Sequence, residues 1–133
     1  MPDQLLTPAD VEQAIIDELS PLYTVGTSIP DPRPNLFLRV VATGGGQLNL
    51  VQDEPLVTLE AFGLRETQAR GALDSALARL ELAVRKRGMI GSEPVSRLRI
   101  AGLPQNYPLP SVPSHKRYIS TIAPAVRRRI TTL

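Results

Sequence analysis

The chain of 133 residues has no cysteine, no tryptophan, two phenylalanines, three tyrosines and one histidine. Without cysteine, disulfides and thiolate metal sites are excluded. The single histidine, His115, stands between Ser114 and the cations Lys116 and Arg117. A Ser-His-Asp or Cys-His device would have to use it, and no positioned nucleophile accompanies it. Metal sites need several His, Cys or carboxylates at ligand spacing, and Asp53-Glu54 is only two acids in an expected turn. No catalytic, cofactor-binding or metal-ligating residue is therefore expected, and the chain reads as a non-enzyme. No apolar run approaches the roughly 20 residues of a membrane span. The start, MPDQLLTPAD, lacks the basic and apolar regions of a signal peptide. The expectation is a protein used inside a cell, or assembled there into something larger, with no membrane partner.

The charge is nearly balanced: 15 Lys and Arg against 13 acids, net +2. A dedicated nucleic-acid module would show a clustered basic face with aromatic or polar base readers. Here the excess falls in three short runs, at residues 85–87, 115–117 and 127–129. The first reads as a helix C-terminal turn and the second as a solvated strand start. The third, Arg127, Arg128 and Arg129, is either a solvated tail or a DNA-facing one.

Proline is abundant, with 13 residues, gathered at the N-terminus, at residues 29–34 and at residues 103–113. Prolines confined to connections leave element interiors clean and make the connections stiff.

The length suits one domain with one core. Residues 1–6 read as a short arm. Thr7-Pro8-Ala9-Asp10 reads as a helix start, with Thr7 as cap and Pro8 at the first helical position. Val11, Ala14, Ile15, Leu19 and Leu22 make the apolar stripe, with Glu18 off it, and Ser20-Pro21 ends the helix. Residues 23–34 form a stiff, extended connection that can hold a short strand at Tyr23-Thr24-Val25.

Asn35 to Thr43 reads as a strand with Leu36, Leu38, Val40 and Ala42 on one face and Phe37, Arg39 and Val41 on the other. The second face suits a surface that meets another chain or one partly covered by a loop. Gly44-Gly45-Gly46 reads as a hairpin tip; it lacks the Lys-Ser/Thr and following helix of a phosphate loop. Residues 48–53 are a strand continuation or a flap. Asp53-Glu54-Pro55 marks a turn. Leu56 to Phe62 pairs antiparallel with the preceding strand, placing Glu60 near Arg39.

The strongest periodicity is a helix after Gly63-Leu64, with Ala69, Ala72, Leu73, Ala76, Leu77, Leu80, Ala83 and Val84 on one face and Gly88 as its cap. Glu93 to Ala101 alternates as a half-buried strand, with Arg97 and Arg99 on the outer face. Residues 102–114 form a proline-rich loop carrying Tyr107, Leu109 and Val112, either a docking loop or a connection pinned to its own domain. The last strand has its clear part at Arg117 to Ile122; Pro124 marks it as an edge strand or ends it, and residues 124–133 read as a basic tail. The fold class expected is α+β: a small antiparallel or mixed sheet packed against two helices, a single domain over residues 1–133.

The segments VEQAIIDEL, GTSIPDPRPNLFLRV, TGGGQLNLVQDEPLVTLEAFG, ARGALDSALARLELAVRKRG and GLPQNYPLPSVPSHKRYISTI, in this order over residues 7–129, resemble the tail terminator proteins of long-tailed bacteriophages, especially those infecting actinobacteria. The resemblance implies a structural virion protein of the neck: a subunit of a ring, typically of six, that caps the tail tube and fixes tail length. It would be assembled in the host cytoplasm. Its partners would be further copies of itself, the tail tube protein, the head-completion or stopper protein, and DNA passing through the lumen without sequence-specific contact. The basic end, VRRRITTL, departs from what the resemblance leads one to expect. Interface residues expected on this reading are Pro32, Arg33, Pro34, Phe37 and Arg39 on one side and Tyr107, Leu109 and Arg117 on the other, with Asn49 in a 44–53 flap that meets the tube below or the connector above. Arg127, Arg128 and Arg129 would be the DNA-facing group. The competing readings are another head–tail connector component, a stopper or adaptor, and a basic nucleic-acid-binding module.

Overall fold

The computed structural model describes residues 3–132; Met1 and Pro2 of the expected arm, and Leu133 of the expected tail, lie outside them. The chain runs β1 (Gln4–Thr7), α1 (Val11–Leu19), β2 (Val25–Gly26), β3 (Leu36–Gln47), β4 (Gln52–Gly63), α2 (Glu66–Arg87), β5 (Met89–Ile90), β6 (Glu93–Asn106), β7 (Lys116–Arg127) and β8 (Arg129–Thr132). A six-stranded mixed sheet has the order β2-β3-β4-β7-β6-β5, and β1 pairs with β8 in a separate two-stranded sheet. Only the β2–β3 pair is parallel. This is the α+β single domain that the periodicities imply.

The cap of α1 is Asp10, whose carboxylate accepts from the backbone N–H of Gln13 at 3.1 Å. Thr7 and Pro8 lie before the helix: Thr7 ends β1, paired with Arg129. A carboxylate on the residue next to the helix satisfies a free N–H as well as a hydroxyl would, and it is the one within reach. Val11, Ala14, Ile15 and Leu19 are buried as the stripe requires, but Leu22 is exposed and Glu18 is buried.

In the β3–β4 hairpin Arg39 stands opposite Glu60, as alternation predicts. The three glycines are not its tip. They lie within β3, where the register slips between Ala42 and Gly45, and the tip is Leu48–Val51. A Cβ on Gly45 would sit 2.6 Å from the Pro55 Cα, so only glycine lets the bulged strand approach there. Asp53, Glu54 and Pro55 are correspondingly part of β4 rather than a turn.

Helix α2 buries the predicted stripe from Ala69 to Ala83 and ends at Gly88, whose φ of 65° and N–H bonded to the Val84 carbonyl close the last turn. Strand β6 extends past Ala101 to Asn106, through Pro104, shortening the expected loop. Strand β7 passes through Pro124 and lies between β4 and β6. It is neither an edge nor ended there. Pro124 is opposite Leu98 on β6, while β4 and β7 are unpaired between the Asp53–Val126 and Val57–Ile122 pairs. The missing N–H thus falls where the ladder is already interrupted. The expected arm and basic tail are β1 and β8, paired with each other from Gln4–Thr132 to Thr7–Arg129.

The main core lies between the two helices and one face of the sheet, built on Ile15, Leu19, Val40, Leu59, Leu73, Leu80 and Ile122. A second cluster lies on the opposite face at one end. There Phe37 and Phe62 stack with centroids 4.7 Å apart, sealed by Val112, Ile29 and Leu109 from the proline-rich segments. Among the described residues no helix covers the rest of that face.

Candidate functional site

Alternation along the strands assigns the side chains of the helix-free face. On β3 and β4 they are Phe37, Arg39 and Val41, and Glu54, Leu56, Thr58, Glu60 and Phe62. The register carries the face across Arg117, Ile119, Thr121, Ala123, Ala125 and Arg127 of β7 to Arg97, Arg99 and Gln105 of β6. The centre, Val41, Leu56, Thr58, Ile119 and Thr121, is half-buried.

Two carboxylates organise the charges of this face. Glu60, with its side chain 5% exposed, pairs with Arg39 and with Arg117. Arg117 also donates from Nε to the Tyr107 carbonyl at 2.7 Å, and its guanidinium lies 5.2 Å from the Tyr107 ring centre. The hydrogen bond to Glu60 raises the Arg39 pKa, against the opposing effect of burial, so Arg39 stays charged. Glu54 pairs with Arg97 at 2.8 Å and Arg99 at 3.2 Å. Hydrogen bonds from Arg97 and then Arg99 hold its carboxyl below the usual carboxylate range. A third acid, Glu18 on α1, repeats the pattern on the other side of the sheet. It binds Arg79, Arg87 and the Gly91 N–H. Burial pushes its pKa up, but the Gly91 and arginine hydrogen bonds together outweigh that and lower it.

At the Phe37 end an open cleft of about 650 Å³ is lined by residues 29–33, Asn35, Leu64, Ser114 and His115. His115 is built into its wall. Nε2 lies 2.8 Å from the Pro34 carbonyl and Nδ1 2.8 Å from the Ser114 hydroxyl. A carbonyl only accepts, so Nε2 carries a proton and donates to the Pro34 carbonyl, while Nδ1 shares a hydrogen bond with the Ser114 hydroxyl. The ring packs edge-on to Phe37. This histidine is a structural tie between the two proline-rich segments.

At the other end of β3 and β4 the hairpin tip exposes Leu48, Leu50 and Val51, with Leu50 at 79%. Asn49 holds the tip in shape: its Oδ1 accepts from the N–H groups of Val51 and Gln52, each at 2.9 Å. Leu103 at 76% and Tyr107 at 51% are also exposed, in β6 and just past its end, as are Leu5 and Ile130 of the β1–β8 ribbon.

The residues expected at an interface are thus divided. Pro32 and Arg33 are exposed on the cleft, and Pro34 bonds His115 through its carbonyl. Phe37 is fully buried and Leu109 packs on the same cluster, so neither is a surface contact of the folded chain; the loop covering that end of the face holds them in its own core. Arg39, Arg117 and Tyr107 come together through Glu60, with Arg117 only 7% exposed. Asn49 stands apart at the hairpin tip. Of the C-terminal arginines, Arg128 pairs with Asp53 at 3.2 Å and Arg129 with Glu93 at 2.5 Å, while Arg127 is exposed on the helix-free face.

Glu54 and the exposed Leu48, Leu50 and Val51 were not singled out by sequence reasoning. Arg97 and Arg99 carried a signal, since two arginines at alternate positions must share a face. Among the described residues no group of three or more His, Cys, Asp or Glu is arranged to hold a metal, and no helix is long and apolar enough to cross a membrane. The sequence matches no protein-family model, and no curated protein matches it significantly.

Proposed function

We propose that the chain is the subunit of a closed ring, a tail terminator that caps a bacteriophage tail tube, fixes its length and joins it to the head-completion proteins. The observation that carries this reading is that unlike apolar side chains stand exposed at separate places on the subunit. One place is the hairpin tip of Leu48, Leu50 and Val51; another is Leu103 with Tyr107. A head-to-tail ring needs two different patches on each subunit, whereas a two-fold dimer needs one self-complementary patch. Large apolar side chains grouped in the open mark surfaces that meet another molecule. Asn49 fixes the tip beforehand, so little conformational freedom is lost on docking. The resemblance in segment order supplies the ring number, six, and the partners: tail tube protein, stopper and the DNA in the lumen.

Electron microscopy of the purified chain, alone and mixed with assembled tail tubes, tests this. Rings of one diameter, free or seated on one tube end, are expected. A monomer that leaves tube ends bare overturns it.

A further inference from the structure

We propose that the helix-free face of the sheet is a platform for the backbone of duplex DNA, with Arg97, Arg99 and Arg127 as its contacts. Along the four long strands this face carries five arginines, Arg39, Arg97, Arg99, Arg117 and Arg127, against two carboxylates, Glu54 and Glu60. The whole chain is only +2. The positive surplus of the protein is therefore gathered on this one face, and the rest of the chain has slightly more acids than bases.

Within the face, Arg39 and Arg117 are tucked around Glu60, but the three others stand in the open. The side chains of Arg97 and Arg99 are 59% and 55% exposed, and Arg127 is exposed. Arg97 is opposite Ala125 and Arg99 opposite Ala123, so Arg127 lies two residues along β7 from the partner of Arg97. Alternate residues on a strand are about 7 Å apart. The three arginines therefore rise from one patch on two neighbouring strands. Each guanidinium has five N–H groups. Arg97 and Arg99 each place one on Glu54, which fixes the pair and leaves donors for an outside anion.

The floor between them chooses the kind of anion. It is Ala123 and Ala125, 0% and 2% exposed. Between the arginines no exposed aromatic or bulky side chain is offered to a protein partner, whose hot spots need such contacts; Leu56 and Ile119 of the same face are half-buried. No ring is there to stack an unpaired base, as single-strand binders require. A charged platform with no exposed aromatic or bulky side chain between its arginines suits a regular polyanion read through its phosphates. In the ring reading this face would look onto the DNA in the lumen, but the charge argument stands without a ring.

The test is fluorescence anisotropy of a labelled 30-base-pair duplex with the full chain, between about 50 and 200 mM salt. Binding that weakens steeply with salt is expected. The triple variant Arg97→Gln, Arg99→Gln, Arg127→Gln should bind at least tenfold more weakly, with the salt slope reduced by about 2–3. Lysine at the same three positions should restore binding. Removing three charges from the helix side, Arg65→Gln, Arg70→Gln and Lys86→Gln, should leave binding within about twofold of wild type, since charge beyond a Debye length is screened. No duplex binding at 50 mM salt overturns the proposal. So does equal loss from either triple variant, or preference for an acidic peptide or single strand over the duplex. Native mass measured on the same samples, read with the tube-end test above, separates the two ideas: rings without DNA binding overturn only this one, and a DNA-binding monomer that leaves tube ends bare only the ring.

Discussion

Glu18, near the end of α1, accepts a hydrogen bond at 3.1 Å from the backbone N–H of Gly91, 73 residues along the chain. The same carboxylate binds Arg79 and Arg87 of α2. One side chain therefore ties α1 to α2 and to the β5–β6 turn, and it does so only while ionised. Its folded pKa is depressed, so its contribution is full above the unfolded carboxylate value and is lost as pH falls through the folded one. Glu18→Gln should cost about 1–3 kcal/mol at neutral pH. The cost stays moderate because both arginines reach water once released. Urea denaturation from pH 7 to pH 3 should show the gap between wild type and variant closing with acid. A gap independent of pH would contradict the ionised role.

Glu60 is a harsher case. Arg117 is almost fully buried and Arg39 largely so, and both depend on this one acid. Glu60→Ala strands both cations, which should cost about 3–5 kcal/mol. The exposed Arg70–Asp74 pair on α2 is the contrast, and Asp74→Ala should cost under about 0.5 kcal/mol. Chemical denaturation of the two variants checks the difference.

Two glycine-to-alanine changes should have opposite signs. At Gly91, with φ of 57°, a Cβ would sit 2.7 Å from the Ala14 carbonyl oxygen, so alanine should destabilise by about 1–3 kcal/mol. At Gly71, an exposed site within α2, nothing lies within 4 Å, and alanine should stabilise by about 0.5–1 kcal/mol. Thermal unfolding of both variants decides the signs.

Leu50→Asp should leave stability within about 0.5 kcal/mol of wild type, since the side chain is 79% exposed. On the ring account it should abolish assembly. Sedimentation of the variant, with a circular dichroism check on folding, measures both. Rings of unchanged size from this variant would contradict the tip's role.

What the sequence disclosed was local. The stripe of α2, its Gly88 cap and the Arg39–Glu60 pairing follow from period and adjacency, and all three are in the structure. What stayed hidden was set by distant parts of the chain. Glu18 sits on the polar side of its helix by sequence, and it is buried because its partners arrive 61 to 73 residues later. Pro124 reads as a strand breaker; whether a missing N–H matters depends on which neighbour it faces, and that is tertiary. The β1–β8 ribbon joins opposite ends of the chain, each unremarkable alone. For the candidate site, alternation placed Arg39 on a special face but could not reveal the loop that buries Phe37. Nor could it reveal the Glu54 that gathers Arg97 and Arg99 from 43 and 45 residues away.

The central claim is that this chain ends a tail. The measurement that tests it most directly is the length distribution of tails in virions assembled without it. The account predicts overlong tails of variable length that fail to join heads, restored to one length when the chain is supplied. Tails of normal, uniform length joined to heads in its absence would contradict it.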